Sequence, residues 1–171
     1  MPQIDQTRPE SQKRLIKAGI GLAVFVVVAA GVGFYLHWSS LPSAAATVSQ
    51  AQTLDTAGNY ASALSLLQGA YGRAFTTSDK VKLLPWLAAT EYDMRNYSKA
   101  LTYYEQLNRL APNNESNLQM LGDTAYQVGN KSVALQAYEE ELPLREASKS
   151  VGPTTSEENQ DLEQRIADLK Q

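Results

Sequence analysis

Gly58-Asn59-Tyr60-Ala61-Ser62-Ala63-Leu64, Arg95-Asn96-Tyr97-Ser98-Lys99-Ala100-Leu101 and Gly129-Asn130-Lys131-Ser132-Val133-Ala134-Leu135 share the pattern x-Asn-x-x-x-Ala-Leu. Their anchoring alanines, Ala63, Ala100 and Ala134, lie 37 and 34 residues apart. A period near 34 marks a helix pair repeated along the chain, with a three-residue insertion in the first connection. Apolar spacing outward from each anchor agrees. Leu84, Leu87 and Ala88, and then Leu118, Leu121, Gly122 and Ala125, follow the i, i+3, i+4 rhythm of a first helix. Ala63, Leu64, Leu67 and Ala70, then Ala100, Leu101, Tyr104 and Leu107, then Ala134, Leu135 and Tyr138 mark the second helices. Gly-Asn, Arg-Asn and Gly-Asn stand between them, because glycine and asparagine tolerate the left-handed backbone that ends a helix. Gly122 and the alanines are small enough for backbones to cross closely.

These positions resemble the tetratricopeptide repeat family. The second unit matches its signature at Leu84, Leu87, Ala88, Tyr97, Ala100, Tyr104 and Pro112, and the third at Leu118, Leu121, Gly122, Gly129, Ala134 and Tyr138. The first matches at Ala51, Leu54, Gly58, Tyr60, Ala63, Leu67 and Ala70, but has Thr47 and Gln50 where the family places larger apolar groups. The resemblance implies an all-α solenoid of about three helix pairs that binds other proteins. It also allows one subtype to be tested, the clamp of Lys, Asn and Arg that grips a chaperone's C-terminal carboxylate. Val48, Gln52, Trp86, Ser116 and Met120 occupy those positions here, and the clamp is absent.

Two prolines interrupt the pattern. Pro85 predicts a first helix that starts late or kinks, and Pro143 predicts the end of the last repeat helix. Beyond a Gly-Pro-Thr-Thr linker at 152–155, Ser156 precedes a run with Leu162, Ile166 and Leu169 on one face and charges elsewhere. This reads as a capping helix with a polar outer side, as solenoid ends require.

Ahead of the repeats, Ala18–Leu36 holds 19 uncharged residues, ten of them Ile, Leu, Val or Phe. A helix of that length reaches about 28 Å, close to the hydrocarbon thickness, and inserting it gains on the order of 3–6 kcal/mol. Arg8, Lys13, Arg14 and Lys17 precede it and no further Lys or Arg appears until Arg73, which predicts a cytoplasmic N-terminus and an extracytoplasmic remainder. Tyr35, His37 and Trp38 suit the interfacial belt. Ala44–Ala46 would fit a signal-peptide cleavage site, but the apolar run exceeds the 7–15 residues of a signal core, so an uncleaved anchor is preferred. Gly19, Ala23, Ala30 and Gly33 share one face of this helix and could pack it against a second copy, giving a homo-oligomer. The expected organisation is thus a tail at 1–17, a transmembrane helix at 18–38, a linker at 39–46, the solenoid at 47–149, and a linker with capping helix at 150–171.

Of the 171 residues 43% are hydrophobic and 19% charged, a balance that excludes disorder throughout. With no Cys and one His, thiolate or His-pair metal sites and cysteine nucleophiles are excluded, and neither an enzyme nor a cofactor is expected. Residues 1–17 carry a net +2 and residues 39–171 a net −5, so nucleic acid, which needs clustered Lys and Arg, is not an expected partner. Glu139-Glu140-Glu141 diverge around a helix and read as a solvated face.

In such a stack the first helices line the inner face, where residues off the apolar stripe meet a ligand. The candidates are Gln52, Asp55, Lys82, Tyr92, Asp93, Gln119, Asp123, Tyr126 and Gln127. Tyrosine gives broad contact at low entropic cost, and neighbouring carboxylates favour segments carrying Lys or Arg. The expected function is a membrane-anchored adaptor that binds a protein or peptide while an envelope complex is assembled, of the secretion, pilus or cytochrome-maturation type. The alternative is a structural protein that self-associates through its membrane helix or by stacking of repeats.

Overall fold

The computed structural model of the chain describes residues 27–28, 42–147 and 153–171, and all of its regular structure there is helical. Seven helices follow from residue 42 onward: α1 (Ala44–Thr56), α2 (Tyr60–Arg73), α3 (Thr77–Asp93), α4 (Tyr97–Leu110), α5 (Glu115–Gln127), α6 (Lys131–Ala147) and α7 (Pro153–Leu169). Sequence neighbours pack on one another, and α1 also lies against α3, as expected for stacked helix pairs. Residues 42–171 form a compact unit of their own. The packing face Gly19, Ala23, Ala30 and Gly33, His37 and nearly all of the predicted membrane segment lie outside the described residues. Within that segment Val27 and Val28 are helical and exposed. Among the described residues no helix is long and apolar enough to cross a membrane.

Short polar residues set where the first helices begin. Ser43 accepts from the Ala46 N–H at 3.2 Å, starting α1 three residues ahead of the expected solenoid boundary. Thr76 accepts from the Asp79 N–H at 3.0 Å and donates its hydroxyl to the Asp79 carboxylate at 2.7 Å, while Asn114 accepts from the Asn117 N–H at 3.0 Å. The three repeated motifs form three equivalent turns. Gly58, Arg95 and Gly129 take φ of 75°, 60° and 75°, and the asparagine N–H that follows each bonds back to Leu54, Glu91 and Ala125 at 2.8 Å. Arginine thus holds a left-handed position that glycine holds in the other two units.

The core fills as the periodicity requires. Ala51, Ala63, Leu67, Leu83 and Leu87 pack the first part, and Leu84, Ala88, Ala100, Leu107, Leu121, Ala125, Ala134 and Tyr138 the second, all buried. Where α5 and α6 cross, a Cβ on Gly122 would lie 2.3 Å from the Tyr138 ring, so only glycine permits the approach. Thr47 sits fully buried at a leucine position of the other units, its hydroxyl without a hydrogen-bond partner.

Three expectations need correction, and of the two alternatives at Pro85 one is excluded. The second unit's first helix does not start late: α3 begins at Thr77 and runs through Pro85. Interior proline costs about 3 kcal/mol, but burial of Leu83, Leu84, Leu87 and Ala88 on both sides of it outweighs this at roughly 1.5–3 kcal/mol for each leucine. Pro143 does not end the last repeat helix, because α6 continues to Ala147. The turn after the proline is anchored by Arg145, which binds the Glu141 carboxylate and approaches Glu115 at 3.7 Å. Glu141 accordingly is not on a solvated face; it is fully buried, and desolvation raises its pKa against the opposing pull of Arg145. The cap helix starts at Pro153 and takes in residues 153–155 of the expected linker, proline's fixed φ suiting a first helical turn.

Candidate functional site on the first-helix face

The first helices α1, α3 and α5 present their last turns side by side. Asp55 of α1 accepts from the Thr90 hydroxyl of α3 at 3.2 Å, which ties the first two units together on this face. Asp93, exposed at the end of α3, has its carboxyl pushed up by partial burial and then by the negative charge of Asp55. Tyr92, one residue earlier, stands edge-on to Tyr97 with ring centroids 5.0 Å apart. Its hydroxyl is raised by burial first, with Tyr97, Asp123 and Asp93 adding to the effect.

Next to this lies a cavity of about 400 Å³ lined by Tyr92, Asp123, Tyr126, Gln127, Tyr138, Arg165 and Asp168. Four of these are residues the sequence singled out, and the fold gathers them from α3 and α5. Tyr126 is 60% exposed and offers its ring at the rim. Asp123 forms the floor and is already bound. Its Oδ1 accepts from the Tyr138 hydroxyl and from Arg165 Nη1, both at 2.8 Å. Arg165 also holds Asp161 at 2.8 Å, and its guanidinium carbon lies 6.0 Å from the centre of the Tyr138 ring. The Tyr138 hydroxyl is pushed well above its ordinary range, by burial and then by its bond to Asp123, against the opposing influence of Arg165. Asp168 accepts from Gln164 at 2.8 Å.

Three residues escaped the sequence reading. Tyr138 reads as core, since its ring is buried against Gly122, yet it lines the cavity and its hydroxyl bonds to Asp123. Asp168 reads as part of the cap's polar side, and Arg165 has no role in the sequence reading. Their signal was available in the spacing: Arg165 lies between Leu162 and Ile166, at the edge of the apolar stripe, where a long side chain reaches across to the next helix. Of the remaining candidates, Asp55 and Asp93 form an acidic pair beside the cavity. Gln52, Lys82 and Gln119 do not line it; Lys82 is exposed and 4.0 Å from Asp79, and Gln119 is exposed.

No family model matches the chain, and no curated relative aligns with it in sequence. Solved structures do match. PcrH from Pseudomonas aeruginosa superposes with a TM-score of 0.57 at 14% identity, over 73% of this chain and 89% of its own. PcrH in complex with the chaperone binding region of PopD gives 0.55 at 14% identity, over 72% and 88%. The first TPR of Spaghetti (RPAP3), bound to the HSP90 peptide SRMEEVD, gives 0.57 at 14% identity, over 73% and 96%. Together with the repeated turns and the helix pairs, these likenesses establish a tetratricopeptide-repeat fold for residues 42–171.

Proposed function

We propose that this chain is a membrane-anchored adaptor that holds a segment of another protein against the face formed by α1, α3 and α5. The observation that carries the reading is the cavity into which Tyr92, Asp123, Tyr126 and Gln127 converge, beside the acidic pair Asp55 and Asp93. Tyrosines with polar edges and carboxylates in a cleft of this size suit an extended or helical segment bearing basic side chains. Two of the structural neighbours hold a peptide or a binding region of another protein, which supports the same use of the fold here. Anchoring rests on the uncharged run Ala18–Leu36 and the basic residues before it, with the repeats on the extracytoplasmic side, where envelope complexes are assembled.

Two experiments test this. Full-length chain purified in mild detergent, immobilised and exposed to solubilised envelope protein, captures a partner; Tyr92→Ala combined with Tyr126→Ala lowers that capture at least about tenfold, as loss of two aromatic anchors does. Undiminished capture by the double variant removes the face from consideration. Protease added to intact spheroplasts digests the repeats and spares residues 1–17; protection of the repeats overturns the topology.

A further inference from the structure

The cavity is not empty of ligand-like chemistry, because the chain places one of its own cations there. Arg165 projects its side chain from the cap helix, with Nη1 2.8 Å from Asp123 on α5 and the guanidinium over the Tyr138 ring of α6. A carboxylate facing a tyrosine ring is the surrounding that suits a guanidinium, through a charge-assisted hydrogen bond and a cation–π contact. Arg165 nevertheless remains 49% exposed, open to the cavity rather than sealed within the core.

The helix that carries it is lightly held. Among its described side chains Leu162 and Ile166 are the buried apolar ones, with Leu169 partly buried beside them. Lys170 adds one exposed pair to Glu139 at 2.7 Å. Against these stands Asn159, 5% exposed, with neither the oxygen nor the nitrogen of its amide hydrogen-bonded. An unpaired buried amide opposes docking, since the undocked helix returns both atoms to water.

We propose that α7 is an in-chain occupant of the partner site: Arg165 fills the position of an arginine on the partner segment, which engages by taking its place on Asp123 and Tyr138. This rests on the reading of the first-helix face as the partner site, and adds that the site is self-occupied and selects arginine. Unbound chain thereby keeps its carboxylate compensated, and a partner lacking a suitably placed arginine gains too little to displace α7.

The probe is a fluorescently labelled peptide copying residues 159–170, used with a twin in which its arginine is replaced by glutamine, each titrated into full-length chain in detergent. Arg165→Gln chain binds the arginine peptide about tenfold more tightly than the parent, since competition from within is gone. The glutamine twin binds both chains alike. Adding Asp123→Asn to Arg165→Gln cancels the gain. Asn159→Leu, which replaces the unpaired amide with an apolar group and strengthens docking, shifts binding of the arginine peptide in the opposite direction. Equal affinity of the parent and Arg165→Gln chains for the arginine peptide, no binding by any chain, or a gain shared by both peptides overturns the proposal. If it falls while the Tyr92 and Tyr126 double variant still loses capture, the partner face stands and only its occupancy by α7 is refuted.

Discussion

Among single residues, Gly122 and Arg95 show how differently two turn-and-crossing positions are constrained. At Gly122 an added methyl would meet a ring that cannot retreat, since Tyr138 is 1% exposed and its hydroxyl is bound to Asp123. Gly122→Ala therefore destabilises the repeats by about 1–3 kcal/mol despite alanine's better helix propensity, read as a lower urea midpoint. At Arg95 the strain is in the backbone, with φ at 60° where the equivalent residues are glycine. Arg95→Gly relieves it and stabilises by up to about 1 kcal/mol, while Gly58→Ala or Gly129→Ala costs about that much in the same assay. Both positions were legible in the sequence through the repeat alignment. Glu91 was not: it stands at the turn position of Leu54 and Ala125, fully buried, with Oε2 accepting from Asn96 at 2.8 Å and Oε1, which has no hydrogen bond, 3.8 Å from the Lys99 ammonium, partners that become neighbours only once the turn closes.

For whole helices, periodicity located five of the six repeat helices and the resemblance supplied the first, while proline was a poor guide to their ends. Pro85 and Pro143 are both interior, because buried leucines in one case and the Glu141–Arg145–Glu115 cluster in the other hold the helix on both sides. Sequence rules weigh the lost hydrogen bond but not the tertiary contacts beyond it. The cap helix is the opposite case, regular in pattern yet weakly bound. Its backbone amides exchange with deuterium well before those of α5 and α6 in hydrogen-exchange mass spectrometry, because a few apolar contacts oppose an unpaired amide. Simultaneous exchange of α5, α6 and α7 would show instead that they open as one cooperative block. The candidate site was legible as far as the first helices supply it; the contribution of α7 depends on how it folds back onto α6, which spacing within α7 alone does not encode.

For the molecule as a whole, charge sets a pH dependence. Folded Asp93 keeps its proton to higher pH than the unfolded residue at 3.8, first through burial and then through Asp55, so the folded state binds more protons just above that value. Stability contributed by this group therefore falls as pH rises from about 4, and Glu141, raised by burial against Arg145, acts in the same sense. Asp93→Asn unfolds at a higher temperature than the parent at pH 7 and at the same temperature at pH 3, in scans of the full chain; a gain that persists at pH 3 would point away from repulsion between the two carboxylates. The uncharged run Ala18–Leu36 and the basic residues before it were read from charge and hydropathy in the sequence, and residues 42–171 form a compact unit.

Because each helix pair packs chiefly on the pairs next to it in this stack, length is adjustable without redesign. An additional hairpin of the same pattern, spliced at the Pro112–Asn113 connection, would extend the first-helix face by one step and leave the helices at either terminus in their present surroundings. Duplication of one hairpin would thus lengthen the first-helix face while Arg165 of the terminal helix keeps its bond to Asp123.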